Sequence, residues 1–517
     1  MTNTTEKVVF KDYNSNQLML LPPSLEELIA ANHPVRIVQQ VIERIDIQPI
    51  LKKYKGGGTS SYHPKMLLKI LVYGYLSNIY SSRKLEAATG ENIHFMWLSG
   101  MSRPDHNTIN RFRSDRLKDV LKEVFSQVVM LLVESGHVDL KDVYTDGTKI
   151  EANANKYTFV WGRAIKSSKE KISRQLEELW AYTQQVAKDE LGQDVPDFTQ
   201  VEPEQVAQTI ERINNALEDR KQSGSAVDKK VKQKVGYARR NWPGKLAEYA
   251  QKEQILGERN SYSKTDTDAT FMRMKEDHMG NGQLKAGYNL QISTQKQFIL
   301  HYTLHQKPTD TTTLIPHFEQ FRDLYQQLPE NITADAGYGS EENYQYLDTH
   351  KVKGFVKYNY FHKEQKQLKK ETSNQKITNN LHYDTQKDRY ICPMGQPMER
   401  IGTRHRTTEN GHVQQYARYK AKSCSGCPLA GSCKKPQGDK ILEVNHQLNT
   451  YKQRARELLL SEEGIKKRKN RPADVEAVFG QLKHNRNFKR FNLRGLPKVE
   501  IEMGLLALAH NLAKIAA

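Results

Sequence analysis

The chain has 517 residues, a net charge of +19 and a pI near 9.4, with 37% hydrophobic and 27% charged residues. This length allows several domains and at least one large core, and a clustered cationic excess of this size favours nucleic acid over acidic small molecules as partner. The most apolar stretch, Met66 to Ile79, is broken by Lys69, Gly74, Ser77 and Asn78, which excludes a membrane span there. Met1 to Lys11 lacks an apolar signal core, so a cytoplasmic location is expected.

Residues 1–135 read as a helical N-terminal domain. His33 to Ile45 has helical apolar spacing, Gly56 to Ser61 is a loop, and Pro64 opens a helix with Met66, Leu67, Ile70 and Leu71 inward. Three short segments follow: Ser82 to Thr89, Ile93 to Leu98, and Pro104 to Arg113. Their tight turns, and the basic Arg111 and Arg113 in the last, resemble a DNA-binding helix-turn-helix. An ordinary helical bundle fits the same pattern.

Residues 136–162 carry a strand, Val143 to Ile150, with Asp146 followed by Gly147. Residues 163–258 are charged and helical, with narrow stripes at Ile172, Leu176, Leu179, Trp180 and at Val206, Ile210, Ile213, Leu217. They predict a helical hairpin or coiled-coil-like insertion. Residues 259–359 return to strands at Gly287 to Ser293 and Phe298 to Leu304, a helix from Thr311 to Gln327, a short strand ending at Asp335, a further helix, and Gly354 to Tyr358. Residues 360–462 read as an insertion carrying all four cysteines. Residues 463–517 give an amphipathic helix with Val475, Val478, Phe479 and Leu482 as its buried stripe, a basic arm, and a closing apolar helix from Met503 to Ile515. Without the insertions, the order of strands and helices fits an α/β fold: a ribonuclease-H-like mixed sheet with helices on both faces.

Asp146 and Asp335 each end a short apolar strand where open α/β sheets collect ligands. Glu476 lies beside the stripe of the C-terminal helix. From Gly464 to Lys498 eleven Lys/Arg stand against two acids. Three carboxylates meeting in such a basic setting would bind two divalent ions about 3.5–4 Å apart, suited to in-line phosphoryl displacement. Magnesium fits few carboxylates plus phosphate oxygens. A lone Asp at a strand end is more often a cap; the pair in this order with a Glu helix is not the usual pattern.

In the basic arm, Lys483, Arg486, Lys489, Arg490 and Arg494 interleave with Phe488 and Phe491. Cations on phosphates with aromatics against bases is one reading. Phe residues that simply anchor the arm is the other. Cys392, Cys424, Cys427 and Cys433 fit a structural zinc site, against four unrelated thiols or a labile disulfide. His278, His305 and Asp310 lie near core strands, where structural histidines are expected; Glu151 and Asp266 are candidates for supporting roles.

Several blocks carry a resemblance: Thr145 to Asn153, Ser263 to Asp266 with Met279 to Tyr288, Thr333 to Tyr338, and Val475 to Lys483. They resemble those of bacterial insertion-sequence transposases of the DDE (Asp-Asp-Glu) class, with a ribonuclease-H-like core. Tyr62 to Lys65 and Ser102 to Asp105 resemble the helical N-terminal domain of the same proteins. The resemblance spans most of the chain and is weakest in 163–258. It implies Asp146, Asp335 and Glu476 as a catalytic triad holding Mg2+ or Mn2+, and Lys483 on the DNA backbone near the cut. It also implies action on terminal inverted repeats and target double-stranded DNA, a homodimer on DNA, and a bacterial, nucleoid-associated location. A metal-dependent nuclease without strand transfer and an inactive DNA-binding descendant are the alternatives. One departure stands out. Lys469 and Pro472 occupy the Tyr and Arg positions of the family signature Tyr-x2-Arg-x3-Glu-x6-Lys, and Arg468 and Arg471 are out of register.

Overall fold

The computed structural model describes residues 24–517 apart from 55–60, 192–193, 200, 223–226, 275–282, 370–380 and 434–437. The Gly56 to Ser61 loop (up to residue 60) and His278 therefore lie outside the described residues. The chain separates into two compact units, 1–117 with 511–517, and 118–510.

The first unit is helical. Pro34–Arg44 is capped by the His33 side chain, and Pro64–Leu76 is buried nearly all round. Ser82–Glu91, Ile93–Ser99 and His106–Arg111 follow, the last capped by Asp105, which accepts from the Asn107 and Thr108 amides at 2.8 and 3.0 Å. Capping supplies acceptors for amides that the first helical turn leaves unpaired.

The second unit is built on a mixed sheet: β1 (Asp142–Glu151), β2 (Leu284–Gln295), β3 (Phe298–His305), β4 (Asn331–Ala334) and β5 (Lys353–Val356). The strand order is β3-β2-β1-β4-β5, with β1–β4 and β4–β5 parallel and the other pairs antiparallel; a short strand, Thr270–Arg273, also pairs with the start of β2. This is the ribonuclease-H-like sheet. β2 and β3 are joined by a two-residue turn at Lys296 and Gln297, whose φ values of 51° and 64° match the twist of a tight hairpin. The helix α1 (Leu314–Tyr325) buries Leu314, Phe318 and Phe321, and α2 (Glu341–Thr349) joins β4 to β5. Further on, α3 (His446–Leu460) and α4 (Glu462–Arg471) meet at a close corner. A Cβ on Gly464 would stand 2.1 Å from the Leu458 carbonyl oxygen, so only glycine fits there.

The insertion after β1 is a bundle of three helices, not two: Gly162–Val186, Pro203–Gln222 and Lys229–Leu256. Its core joins the expected stripes to Val235, Ala238, Trp242 and Leu246 of the third helix. The cysteine-bearing insertion contains a five-stranded antiparallel sheet. Among the described residues, no helix is long and apolar enough to cross a membrane.

Candidate active site

Two of the acids are placed by sheet register alone. Thr145 of β1 pairs with Ala334 of β4 in parallel. The next residues are Asp146 and Asp335, so the two lie side by side. Asp335 ends its strand as expected, but Asp146 does not, because β1 stays paired with β2 through Asp146 and on to Glu151. Asp146 is 6% exposed and accepts from the Gly147 amide at 2.8 Å. Asp335 is half-exposed and 3.4 Å from the Lys357 ammonium. Burial pushes its carboxyl up, but the Ala336 backbone N–H, Arg471 and Lys357 outweigh that and hold it below the ordinary carboxylate value.

The third acid reaches them through an arginine. Arg471 is buried, and its guanidinium donates to Asp146 at 2.9 Å and to Glu476 at 2.8 Å. Its Nε is buried without a hydrogen-bond partner. Arg471 ends α4, and the segment that follows, Pro472–Glu476, is a π-turn. Proline has no N–H to give to a carbonyl one α-turn back, and the wider turn accommodates it. The π-turn also accommodates one extra residue, so Arg471 and Glu476, five apart, pair as residues four apart do on an α-helix. The out-of-register arginine of the sequence is therefore brought into register by the backbone. Asp474 holds the turn on the β2–β3 hairpin by accepting from the Thr294 hydroxyl at 2.6 Å and the Gln297 amide at 3.2 Å. Lys467 anchors α4 through an ion pair with Asp142, the first residue of β1.

A fourth acid approaches the glycines that follow both aspartates. Asp310 accepts from Asn289 and Gln291 side-chain amides at 2.8 and 3.0 Å. A Cβ on Gly147 would come within 2.7 Å of Asp310 Oδ1, and one on Gly337 within 3.5 Å of its Cβ and Oδ2. The glycines after Asp146 and Asp335 thus leave room for Asp310 to approach. Among the described residues, no three acids, histidines or cysteines converge as a ready metal cage. In the acid constellation the Arg471 guanidinium stands between Asp146 and Glu476. The donor set of hard carboxylates, held around a resident cation, suits divalent ions such as magnesium or manganese.

A model described as the Transposase DDE domain matches residues 391–516, and one described as a Transposase domain (DUF772) matches residues 23–115. Both matches support an insertion-sequence DDE transposase. No curated protein and no solved structure matches it. The first match contains Glu476 but neither Asp146 nor Asp335, so those two rest on the geometry of the transposase's own sheet.

The remaining predicted positions divide by environment. Val475, Val478, Phe479 and Leu482 form the buried stripe as read from the sequence. Lys483 lies in a second π-turn, Gln481–Asn485, and is buried. In the arm, Phe488 and Phe491 are each 1% exposed, with ring centroids 5.5 Å apart, so they anchor the arm to the core and do not face bases. Arg490 donates to the carbonyls of Ala152 and Ala154 at 3.1 and 2.9 Å, and Arg494 to that of Asn153 at 2.8 Å. Both guanidiniums brace the end of β1 while their residues remain exposed, as does Lys489; Arg486 is half-buried. In the first unit Arg111 is exposed, whereas Arg113 is buried and donates to the Tyr80 carbonyl at 2.8 Å and Asn110 at 3.2 Å. Arg113 serves the fold and offers no open cation to DNA. Asp266 is likewise structural, accepting from the Tyr288 hydroxyl and the Gly495 amide. Glu151 pairs with Lys285 at 3.1 Å.

Sequence reasoning missed Arg471 as the bridging cation, Lys357, and the placement of Asp310. The Arg-Pro step inside a helical pattern is the signal for the first. The other two have none, because each reaches the site from a separate segment.

Proposed function

We propose that this transposase cleaves DNA at the ends of its own element and joins the freed ends to target DNA. Asp146, Asp335 and Glu476 are its metal ligands. The observation that carries this reading is the in-register pair Asp146–Asp335, tied to Glu476 through the shared Arg471 guanidinium. Divalent ions, when bound, activate the attacking oxygen and stabilise the leaving one.

The chain's own residues do the rest. The Gly147 amide fixes the Asp146 carboxylate, and the Ala336 amide with Lys357 keeps Asp335 ionised. Arg471 holds Asp146 and Glu476 as one unit. Lys483 positions the scissile phosphate. Water attacks the phosphodiester first, and the freed 3′-hydroxyl is the nucleophile for joining. Lys489, Arg486, Arg490 and Arg494 supply the phosphate-tracking surface, and the N-terminal helical unit with Arg111 supplies end recognition. Bringing two ends together calls for a homodimer on DNA, and the substrate places the protein at the nucleoid in the cytoplasm.

The test uses the DNA flanking the coding region as substrate, with magnesium or manganese. Cut and joined products are expected from the wild type, and neither from Asp146→Asn or Asp335→Asn, with DNA binding retained in both. Cutting without joining would make the protein a nuclease. Tight binding with no cutting by the wild type would make it an inactive descendant.

A further inference from the structure

The transposase has four cysteines, all between Cys392 and Cys433, and all four are half-buried free thiols. They come from three places in the five-stranded insertion. Cys392 follows the strand Arg389–Ile391. Cys424 and Cys427 follow the strand Val413–Ala421. Cys433 ends the short helix Ala430–Cys433. All four line one cavity of about 30 Å³, closed on its other sides by apolar groups such as Leu381 and Met398. Four unrelated buried thiols have no reason to share one small void.

The backbone around them is shaped for sulfur. In Cys392-Pro-Met-Gly395 the glycine sits at φ 77° and its amide donates to the Cys392 carbonyl at 2.9 Å. The next amide, Gln396, donates to Cys392 Sγ at 3.3 Å. In Cys424-Ser-Gly-Cys427 the glycine sits at φ 69°, and the Lys440 amide donates to Cys424 Sγ at 3.3 Å. A neutral thiol is a weak acceptor, whereas a thiolate draws such amides strongly. Two tight turns with left-handed glycines, and two N–H···S bonds, one from Gln396 beside the first turn and one from Lys440 just before the last strand, make sense for sulfurs that carry charge.

We infer that Cys392, Cys424, Cys427 and Cys433 bind one structural zinc ion in this cavity. The four sulfurs surround the void without already converging, since no three ligating side chains are gathered among the described residues. Binding closes the ring: four Zn–S bonds of about 2.3 Å form as the four thiols release four protons. No electron is transferred. The consequence reaches the active-site helices. The last strand of the sheet, Ile441–Val444, leads into Asn445, whose side chain caps α3 and donates to Glu341 of α2 at 2.5 Å. A zinc-closed sheet fixes the start of the helix pair that ends in Arg471.

The full-length protein, purified without chelator, should contain about one zinc per chain. Its four thiols should be unreactive to a thiol reagent until a chelator strips the metal, and then all four should react. Replacing zinc with cobalt should give the visible absorption of a tetrahedral thiolate site. Cys427→Ala and Cys433→Ala should each lower the zinc content below about a tenth of an ion per chain. If these variants fail to fold, the wild-type thiol titration with and without chelator still decides the matter. Metal-free wild-type protein with four immediately reactive thiols, unchanged in melting temperature by added zinc, would overturn the inference. Bound iron, or a disulfide in place of the thiols, would do the same.

Discussion

Arg471 and Glu476 are separated by five residues and joined at 2.8 Å, because a π-turn lies between them. Pattern reading assumes 3.6 residues per turn, and at that pitch a spacing of five points two side chains away from each other. Here the backbone absorbs one residue and restores the pair. Deleting Ala473 would convert the π-turn to an α-turn with a spacing of four. We expect that variant to keep the pair and to cleave DNA within about tenfold of wild type, whereas inserting an alanine after Ala473 should abolish cleavage. Equal loss in both, measured by cleavage of end-containing DNA in soluble folded protein, would show that the pairing does not matter.

Lys483 should act on the reaction more than on affinity. Lys483→Ala should lower the cleavage rate by about a hundredfold and weaken DNA binding by less than about threefold, since one contact is a small share of the total. Cleavage rates on saturating DNA, beside a binding isotherm, separate the two. Matching losses in both would reduce Lys483 to one phosphate contact among several.

The arm is a test of salt dependence. Replacing Lys489, Arg490 and Arg494 with alanine should flatten the slope of log affinity against log salt by about two to three. Because Arg490 and Arg494 also bind the carbonyls of residues 152–154, the same variant should melt at a lower temperature than Lys489→Ala alone. An unchanged slope would move DNA recognition to the N-terminal helices.

A buried histidine group makes the core sensitive to acid. His317 bonds both Ser293 and Thr303, and His305 bonds Thr303. Burial, aided by the Lys122 charge, pushes His301 down to about 3 and His305 down to about 4, and holds His317 well below its ordinary value. The unfolded chain protonates these rings near pH 6.5 and the folded one does not. Stability is therefore full above about 6.5 and drains as pH falls towards 4, by up to roughly 1.4 kcal/mol per pH unit for each ring. Urea midpoints between pH 7.5 and 5 measure this, and His317→Gln should reduce the dependence. A flat profile over that window would mean that the rings are protonated in the folded state.

The sheet was legible because its strands are apolar runs, and because the Ala336-Gly337 step marks where Asp335 leaves its strand; Gly147 misled, since β1 runs on through Asp146 and Gly147 to Glu151. The buried stripe around Glu476 was legible for the same reason, as periodicity. The third insertion helix was not: Val235, Ala238, Trp242 and Leu246 are sparse among lysines and arginines, with Pro243 inside the run. The partners of the acids were also hidden. Asp310, Lys357 and Arg471 meet Asp146 and Asp335 only through folding, and a π-turn leaves no periodic trace.

The bundle of residues 162–256 enters and leaves the core through a two-stranded ribbon, Phe159–Trp161 against Ser261–Ser263, closed by the Gly162 amide on the Asn260 carbonyl at 3.0 Å. The ribbon clamps the two ends of the insertion together. To the sheet, the whole bundle is then equivalent to a hairpin loop, and the cost of closing a loop grows only with the logarithm of its length. Mutations, lengthening or loss of helices beyond the ribbon leave the register of β1 against β2 and β4 untouched. The bundle is therefore free to diverge, taking on new partners or shapes, while Asp146 stays where β1 puts it.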